Sequence, residues 1–233
     1  MKIALLGYGR MGKAIEKIAL QRGHQVVAKI DKDNPLDSLH NADVAINFSI
    51  PNAALANITN ALNLGIPVVC GTTGWLEHKI EVDALCNKLG GGFLYASNFS
   101  LGVNLFFELN KKLAGYMDSF PDYKVAIEEI HHTHKLDAPS GTAITLAEGI
   151  IENSKKTQWY LEGDNGEGIP IKALREDDVP GTHTVSYRSD IDSIDITHTA
   201  HSRTGFALGA VVAAEWILGK TGVFGMKDVL GLQ

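Results

Sequence analysis

Residues 128–143 read EEIHHTHKLDAPSGTA and gather three of the chain's nine histidines into four positions, with a lysine and a Ser-Gly-Thr following. Such side chains suit metal chelation, acid–base chemistry or anion binding. The preceding YKVAIEEI predicts a strand, and if it continues briefly His131, Thr133 and Lys135 share one face while His132 and His134 take the other. A metal site could join His132 and His134 to His183, His198 or His201, yet the sequence has neither a helical H-E-x-x-H nor a cysteine pair to support it; the expectation is no metal. His131 beside Lys135 instead sets an imidazole, the side chain best suited to proton transfer near neutral pH, next to a fixed cation. DAPSGTA then gives a proline-set turn, with Ser140, Gly141 and Thr142 at a helix start whose open N–H groups and two hydroxyls suit a carboxylate. A serine-hydrolase arrangement of Ser140, His131 and Asp137 lacks the G-x-S-x-G elbow. The plainer readings are a core histidine for each ring taken singly, which is accepted for His134, and a simple helix cap for Ser140.

A second motif opens the chain. GYGRMG, comprising Gly7, Tyr8, Gly9, Arg10, Met11 and Gly12, follows an apolar strand and starts a helix, and the next strand ends at Asp31, nineteen residues past Gly12. This is the grammar of a dinucleotide turn: Gly7 for the tight turn, Gly9 for backbone approach to a pyrophosphate, Gly12 for close helix packing, and Asp31 for a ribose hydroxyl. The plainer reading is a strand–helix turn with no ligand. Lys32 after Asp31, and Arg10, could instead meet a 2′-phosphate, which leaves NADH and NADPH both open; Lys32 as a solvated surface lysine carries equal weight.

These residues need a scaffold. KIALLG, QVVAKI, VAINFS, PVVCG and FLYAS read as strands alternating with helical runs at 10–22, at 52–64 and up to Leu89, so the first half predicts a Rossmann-like doubly wound parallel sheet. Its strands end in small or polar residues, the edge where open α/β sheets bind ligands. After a helix over 102–116 the pattern changes to YKVAIEEI, IKALRE, HTVSYRS and SIDITHTA, the last two split by DID, which predicts an α+β domain with a mixed or antiparallel sheet. The stretch 157–168, rich in Gly and acid, reads as a surface loop. GFALGAVVAAEWILGK is an apolar helix expected to pack back on the first sheet. The expected division is residues 1–99 completed by 205–233 for the dinucleotide, and 100–204 for substrate binding and tetramerisation.

With 233 residues, 45% apolar and 21% charged, the chain is ordinary globular material. A net charge of −6 with scattered Lys and Arg argues against a nucleic-acid partner. No apolar run approaches the roughly 18 residues of a membrane span, and the N-terminus reads as a strand rather than a leader, so a cytoplasmic protein is expected. Cys70 and Cys86, the only cysteines, are expected to be buried free thiols.

HHTHKLDAPSGTA closely resembles the signature of the dihydrodipicolinate reductase family, and GYGRMG, CGTTG (70–74), SNFSLGVN (97–104), GTHTVSY (181–187), ITHTAHSRTGFALGA (196–210) and VFGMKDVLGL (223–232) stand in that family's order. The resemblance spans nearly the whole chain. It implies reduction of 4-hydroxy-tetrahydrodipicolinate in diaminopimelate and lysine synthesis, with hydride passing to C4 of the cyclic imine formed as the 4-hydroxyl leaves. It also implies a homotetramer with a hinge between domains. Gly7 to Gly12, Asp31, Lys32, Gly71, Thr72, Thr73, Ala96, Ser97, Asn98 and Phe99 would contact NADH or NADPH. His131 would be the general acid, Lys135 a second proton donor or carboxylate partner, and His132, Lys135, Ser140, Gly141 and Thr142 would hold the small dicarboxylate. Thr133 replaces a frequent arginine, and Asp31-Lys32 replaces a frequent Glu-Arg. Two other classes stay in view: a dinucleotide-sensing regulator, which needs no His131–Lys135 pair, and a metal-dependent hydrolase built on His132 and His134.

Overall fold

In chain order the strands are Lys2–Leu6 (β1), Gln25–Ile30 (β2), Val44–Asn47 (β3), Val68–Cys70 (β4), Gly92–Tyr95 (β5), Lys124–His131 (β6), Trp159–Leu161 (β7), Ile169–Arg175 (β8), Thr182–Arg188 (β9), Ser193–Thr199 (β10) and Gly222–Phe224 (β11). The helices are Arg10–Gln21 (α1), Pro51–Asn63 (α2), Lys79–Leu89 (α3), Leu101–Met117 (α4), Gly141–Glu152 (α5), Thr204–Ile217 (α6) and Met226–Leu230 (α7). The computed structural model describes residues 1–31, 36–162, 168–202 and 204–232. It divides into Met1–Leu101 with Thr204–Gln233, and Gly102–Arg203. These breaks lie one or two residues from the anticipated 99/100 and 204/205, because they coincide with the starts of α4 and α6.

The first unit is an all-parallel sheet ordered β11-β5-β4-β3-β1-β2. Continuous apolar strands such as VAIN, buried throughout, need cover on both faces. Ile58 and Leu62 of α2 with Val82 and Cys86 of α3 cover one face; Ile15 and Ala19 of α1 with Ala207, Ala210 and Ala214 of α6 cover the other. Each large aliphatic side chain so buried contributes about 1.5–3 kcal/mol. The small residues of α6 permit close approach: a Cβ on Gly209 would fall 1.7 Å from the Phe99 carbonyl oxygen. Glu215 of α6 accepts from Arg22 Nε and Nη2 at 2.7 and 2.8 Å and bonds His24 Nε2 at 2.6 Å, so the C-terminal segment is tied to the end of α1. Both cysteines are free and buried. The strand order reverses between β1 and β3, the switch point at which such sheets bind ligands.

The second unit is a mixed sheet ordered β10-β9-β6-β8-β7, antiparallel across β10, β9 and β6 and parallel across β6, β8 and β7. Its buried face, with Val125, Ile127, Ile171 and Val185, packs on Leu146 and Ile150 of α5 and Phe106 of α4. The loop anticipated over 157–168 is corrected in part: Trp159–Leu161 pairs with Ile169–Ile171, because WYL brings β-favouring side chains that outweigh the acidic, Gly-rich context. Residues 163–167 lie outside the described residues. Among the described residues no helix is long and apolar enough to cross a membrane.

Candidate active site

The site grows from the end of β6. Alternation places Val125, Ile127, Glu129 and His131 on the buried side, the first two in the apolar core and Glu129 against the start of α5, where the Ser140 amide reaches it. Register then supplies the neighbours: His131 stands opposite Arg175 on β8, and Glu129 opposite His183 on β9.

Glu129 is fully buried and accepts three hydrogen bonds. Its Oε2 accepts a hydrogen bond from His131 Nδ1; its Oε1 accepts from Arg175 Nη2 at 3.0 Å and from the Ser140 amide at 3.2 Å. Burial alone would raise the Glu129 pKa, but the bonds from His131 and Arg175 outweigh it and hold the group below its ordinary range. An ionised carboxylate is acceptor-only, so His131 carries hydrogen on Nδ1, and Nε2 is the nitrogen left for proton transfer. Gly181 packs against that edge: a Cβ there would lie 2.9 Å from His131 Nε2.

Beyond His131 the strand stops, which corrects the expected alternation. A turn closes with Lys135 N donating to the His132 carbonyl at 3.0 Å, so Lys135 is not set by strand geometry. Arg175 fixes the loop instead, donating to the Lys135 and Asp137 carbonyls at 3.3 and 2.6 Å. The Lys135 ammonium donates to both Asp137 oxygens at 2.8 Å. That hydrogen bond, against a smaller effect of burial, lowers the Asp137 pKa. His132 is half-buried with Nδ1 unpartnered among the described residues, while His134 is exposed, its ring 6.2 Å from that of His132. Thr133 is exposed and donates to Asp177 at 3.1 Å.

Ser140 caps α5, its Oγ accepting from the Ala143 amide at 3.2 Å. The Gly141 and Thr142 amides belong to the first helical turn and have no intrahelical acceptor, so they are donors that suit an anion. His183 Nε2 lies 3.0 Å from Ser140 Oγ, and the His131 and His183 rings meet edge-on at 5.0 Å. Glu129, His131 and His183 each bring a ligand atom within 4.8 Å of the others. A metal there would compete with the three donors already bonded to the Glu129 carboxylate, and the observed contacts are those of a hydrogen-bonded cluster.

The first unit carries the glycine turn. Gly7 has φ 96°, and a Cβ there would lie 2.2 Å from the Phe48 carbonyl; one on Gly12 would lie 2.4 Å from the Gly7 carbonyl. Gly9 is different: a Cβ would meet nothing within 4 Å. The fold itself needs glycine at 7 and 12, whereas no protein atom crowds a side chain at 9. The start of α1 has no side-chain cap and no acid in its first turn, leaving donors for phosphate. Tyr8 donates to Glu16, and Lys29 joins both at 3.2 and 2.6 Å, bracing the turn against β2. Arg10 and Asp31 are exposed, Met11 is half-buried, and Lys32 lies outside the described residues. Thr73 and Ser97 are exposed, Gly71, Ala96 and Asn98 partly so. Thr72 and Phe99 are buried. Thr72 Oγ1 accepts from Ser49 N at 2.9 Å and from buried Asn47 at 3.2 Å, and Phe99 packs on Phe48, so their side chains serve the fold and only their main chain is left for a ligand. Sequence reasoning had missed Asn47, Glu129, Arg175, Gly181 and the Ser140 contact of His183. Alternation already put Glu129 on His131's side, but Arg175 required the register.

A glycine turn of dinucleotide type in one unit and a buried Glu–His cluster beside a helix start in the other are the parts of a nicotinamide-dependent reductase, and comparison with known proteins shows that class. Residues 1–99 match the family description "Dihydrodipicolinate reductase, N-terminus" and residues 102–230 "Dihydrodipicolinate reductase, C-terminus"; the chain belongs to the dihydrodipicolinate reductase family. It is 60% identical over 233 residues to the 4-hydroxy-tetrahydrodipicolinate reductase of Christiangramia forsetii, covering 99% of this chain and 98% of the relative. It is 36% identical over 244 residues to the enzyme of that name from Alkaliphilus metalliredigens, both chains being covered in full. Its fold is similar to a dipicolinate-bound dihydrodipicolinate reductase from Paenisporosarcina sp. TG-14, with a TM-score of 0.84 at 22% identity over 98% of each chain.

Proposed function

We propose that this chain reduces 4-hydroxy-tetrahydrodipicolinate to tetrahydrodipicolinate with NADH or NADPH and loss of water, with His131 and Lys135 as its catalytic residues. The family match and the 60% identical reductase support the reaction. The single observation that carries the residue roles is the Glu129–His131 pair beside the capped start of α5.

The reduced nicotinamide supplies the hydride. Lys135, the Gly141 and Thr142 amides and the Ser140 and Thr142 hydroxyls bind the two carboxylates, with His132 at the edge of the same site. Glu129 holds His131 by Nδ1, which fixes the ring so that Nε2 delivers the proton that completes tetrahydrodipicolinate after hydride addition at C4. Lys135 moves from Asp137 to a substrate carboxylate. In sum, substrate, NAD(P)H and one proton give product, NAD(P)⁺ and water.

The open face of the second sheet, with Ala126, Glu128, Lys172, Thr184 and Arg188, is proposed as a homotetramer contact, and the cytoplasm as the site of action. The test follows NADH and NADPH absorbance with freshly made substrate, for the parent chain and for His131→Ala and Lys135→Ala. Each variant is expected to lose at least about a hundredfold in turnover; no oxidation of either cofactor by the parent would end the reductase reading. Sedimentation of the same protein tests the tetramer.

A further inference from the structure

Ser140 Oγ is shared inside the protein before any substrate arrives, between the Ala143 N–H and His183 Nε2. A hydroxyl has two lone pairs and one hydrogen. Which partner of the Ser140–His183 bond donates therefore decides what the serine can show to a ligand. If His183 carries its proton on Nδ1, Ser140 donates inward to Nε2. That state buries an Nδ1–H with no acceptor among the described residues, and it presents a serine lone pair to an incoming carboxylate. If the proton is on Nε2, the ring donates to Oγ, both serine lone pairs are filled, and the serine hydrogen faces the ligand. The only unmatched atom is then a bare ring nitrogen, a less costly state than an orphan N–H.

The ring stays neutral throughout, because burial, then the neighbouring His131, pull its pKa down to about 4. The Ser140 main-chain N–H cannot substitute as a ligand donor, since it is given to Glu129.

We propose that His183 is a positioning residue for the dicarboxylate: as the neutral Nε2–H tautomer it donates to Ser140 Oγ and commits the serine hydrogen to one substrate carboxylate. This rests on the reading of Ser140–Thr142 as the carboxylate site. It explains a buried histidine paired with the cap of α5, where an apolar side chain would satisfy packing alone.

The experiment measures dipicolinate binding and steady-state reduction for the parent, His183→Leu, His183→Gln, Ser140→Ala and the Ser140→Ala/His183→Leu double variant. Glutamine can present an N–H near the place of imidazole Nε2; leucine cannot. His183→Leu is expected to weaken dipicolinate binding and raise KM roughly tenfold to a hundredfold, the scale of one hydrogen bond to a charged group, with kcat changed much less. His183→Gln recovers to within about threefold of the parent, and in the Ser140→Ala background the leucine has no further effect. ¹⁵N spectra of the parent are expected to show a neutral buried ring protonated at Nε2. A ring protonated at Nδ1, a leucine penalty that adds in full to Ser140→Ala, or a folded His183→Gln no better than leucine would each overturn the proposal. A parent that does not bind dipicolinate at all would instead remove the carboxylate site itself, and this inference with it.

Discussion

Glu129 and His131 stand two positions apart on β6, and the buried Glu129 carboxylate accepts the His131 Nδ1 hydrogen while Arg175 and the Ser140 amide fill its other oxygen. One carboxylate thus orients the His131 ring and braces the start of α5. Glu129→Gln keeps the shape but puts a neutral amide in place of the carboxylate that accepts the His131 Nδ1 hydrogen and fixes the ring. Turnover is expected to fall at least about tenfold, within the range that general acid catalysis supplies, with dipicolinate affinity altered much less. Steady-state rates and a binding titration on one preparation check this; an affinity loss as large as the rate loss would assign Glu129 to the anion site alone.

Gly181 tests the other edge of the ring. Its φ of 153° and the 2.9 Å from a would-be Cβ to His131 Nε2 leave no room for a side chain. Gly181→Ala is expected to push the imidazole off its line to substrate and to cost about 1–3 kcal/mol in stability, as overpacking does. Turnover should drop even at temperatures where the variant remains folded. Thermal unfolding beside kinetics separates the two effects, and a stable variant of normal rate would show that Nε2 faces elsewhere during reaction.

The three glycines of the first turn make a paired prediction. Gly9→Ala meets nothing within 4 Å, so its unfolding transition should match the parent while dinucleotide binding weakens. Gly12→Ala collides with the Gly7 carbonyl at 2.4 Å and should lower stability before it affects binding. Dinucleotide dissociation constants and urea unfolding midpoints for both variants decide it. Equal destabilisation of the two would mean that Gly9 is a purely structural glycine.

The first sheet was legible because its inner strands are buried on both faces and read as unbroken apolar runs; VAIN is as plain in sequence as in structure. The mixed second sheet could be anticipated from its alternating runs and the DID turn, where Ser189 N donates to the Asp192 carbonyl at 3.0 Å. β7 and β11, three residues each, carry too little periodicity to stand out. The helix start at Ser140 was readable from Pro-Ser-Gly-Thr chemistry alone. The pairing of His131 with Lys135 was inferred from an alternation that ends at His131, and what fixes the lysine's loop is Arg175, placed by cross-strand register. Local pattern reveals which face a residue takes, as with His183, Val185 and Tyr187 alternating on β9; it does not reveal which strand lies opposite.

His183 also sets a dependence of stability on pH. Burial comes first, then His131, with His198 and Lys135 adding in the same direction and Glu129 opposing, and together they place its folded pKa at about 4 against an ordinary 6.5. Between those values the unfolded chain binds a proton that the folded chain refuses, so stability declines as pH falls from about 6.5 to about 4. The loss is on the order of 3 kcal/mol over that window. Glu129, Asp137 and Glu215 act with the same sign at the acid end: each is held below its ordinary range, so the stability it gives above the unfolded carboxylate pKa is lost as pH drops through the folded one. His183→Gln removes only the histidine contribution. Urea unfolding from pH 7.5 to 4.5 is therefore expected to show the parent losing stability more steeply than His183→Gln, by close to one proton's worth of slope. Parallel curves for the two proteins would mean that His183 titrates in the folded state as freely as in the unfolded one, and that the ring beside Ser140 is not held neutral.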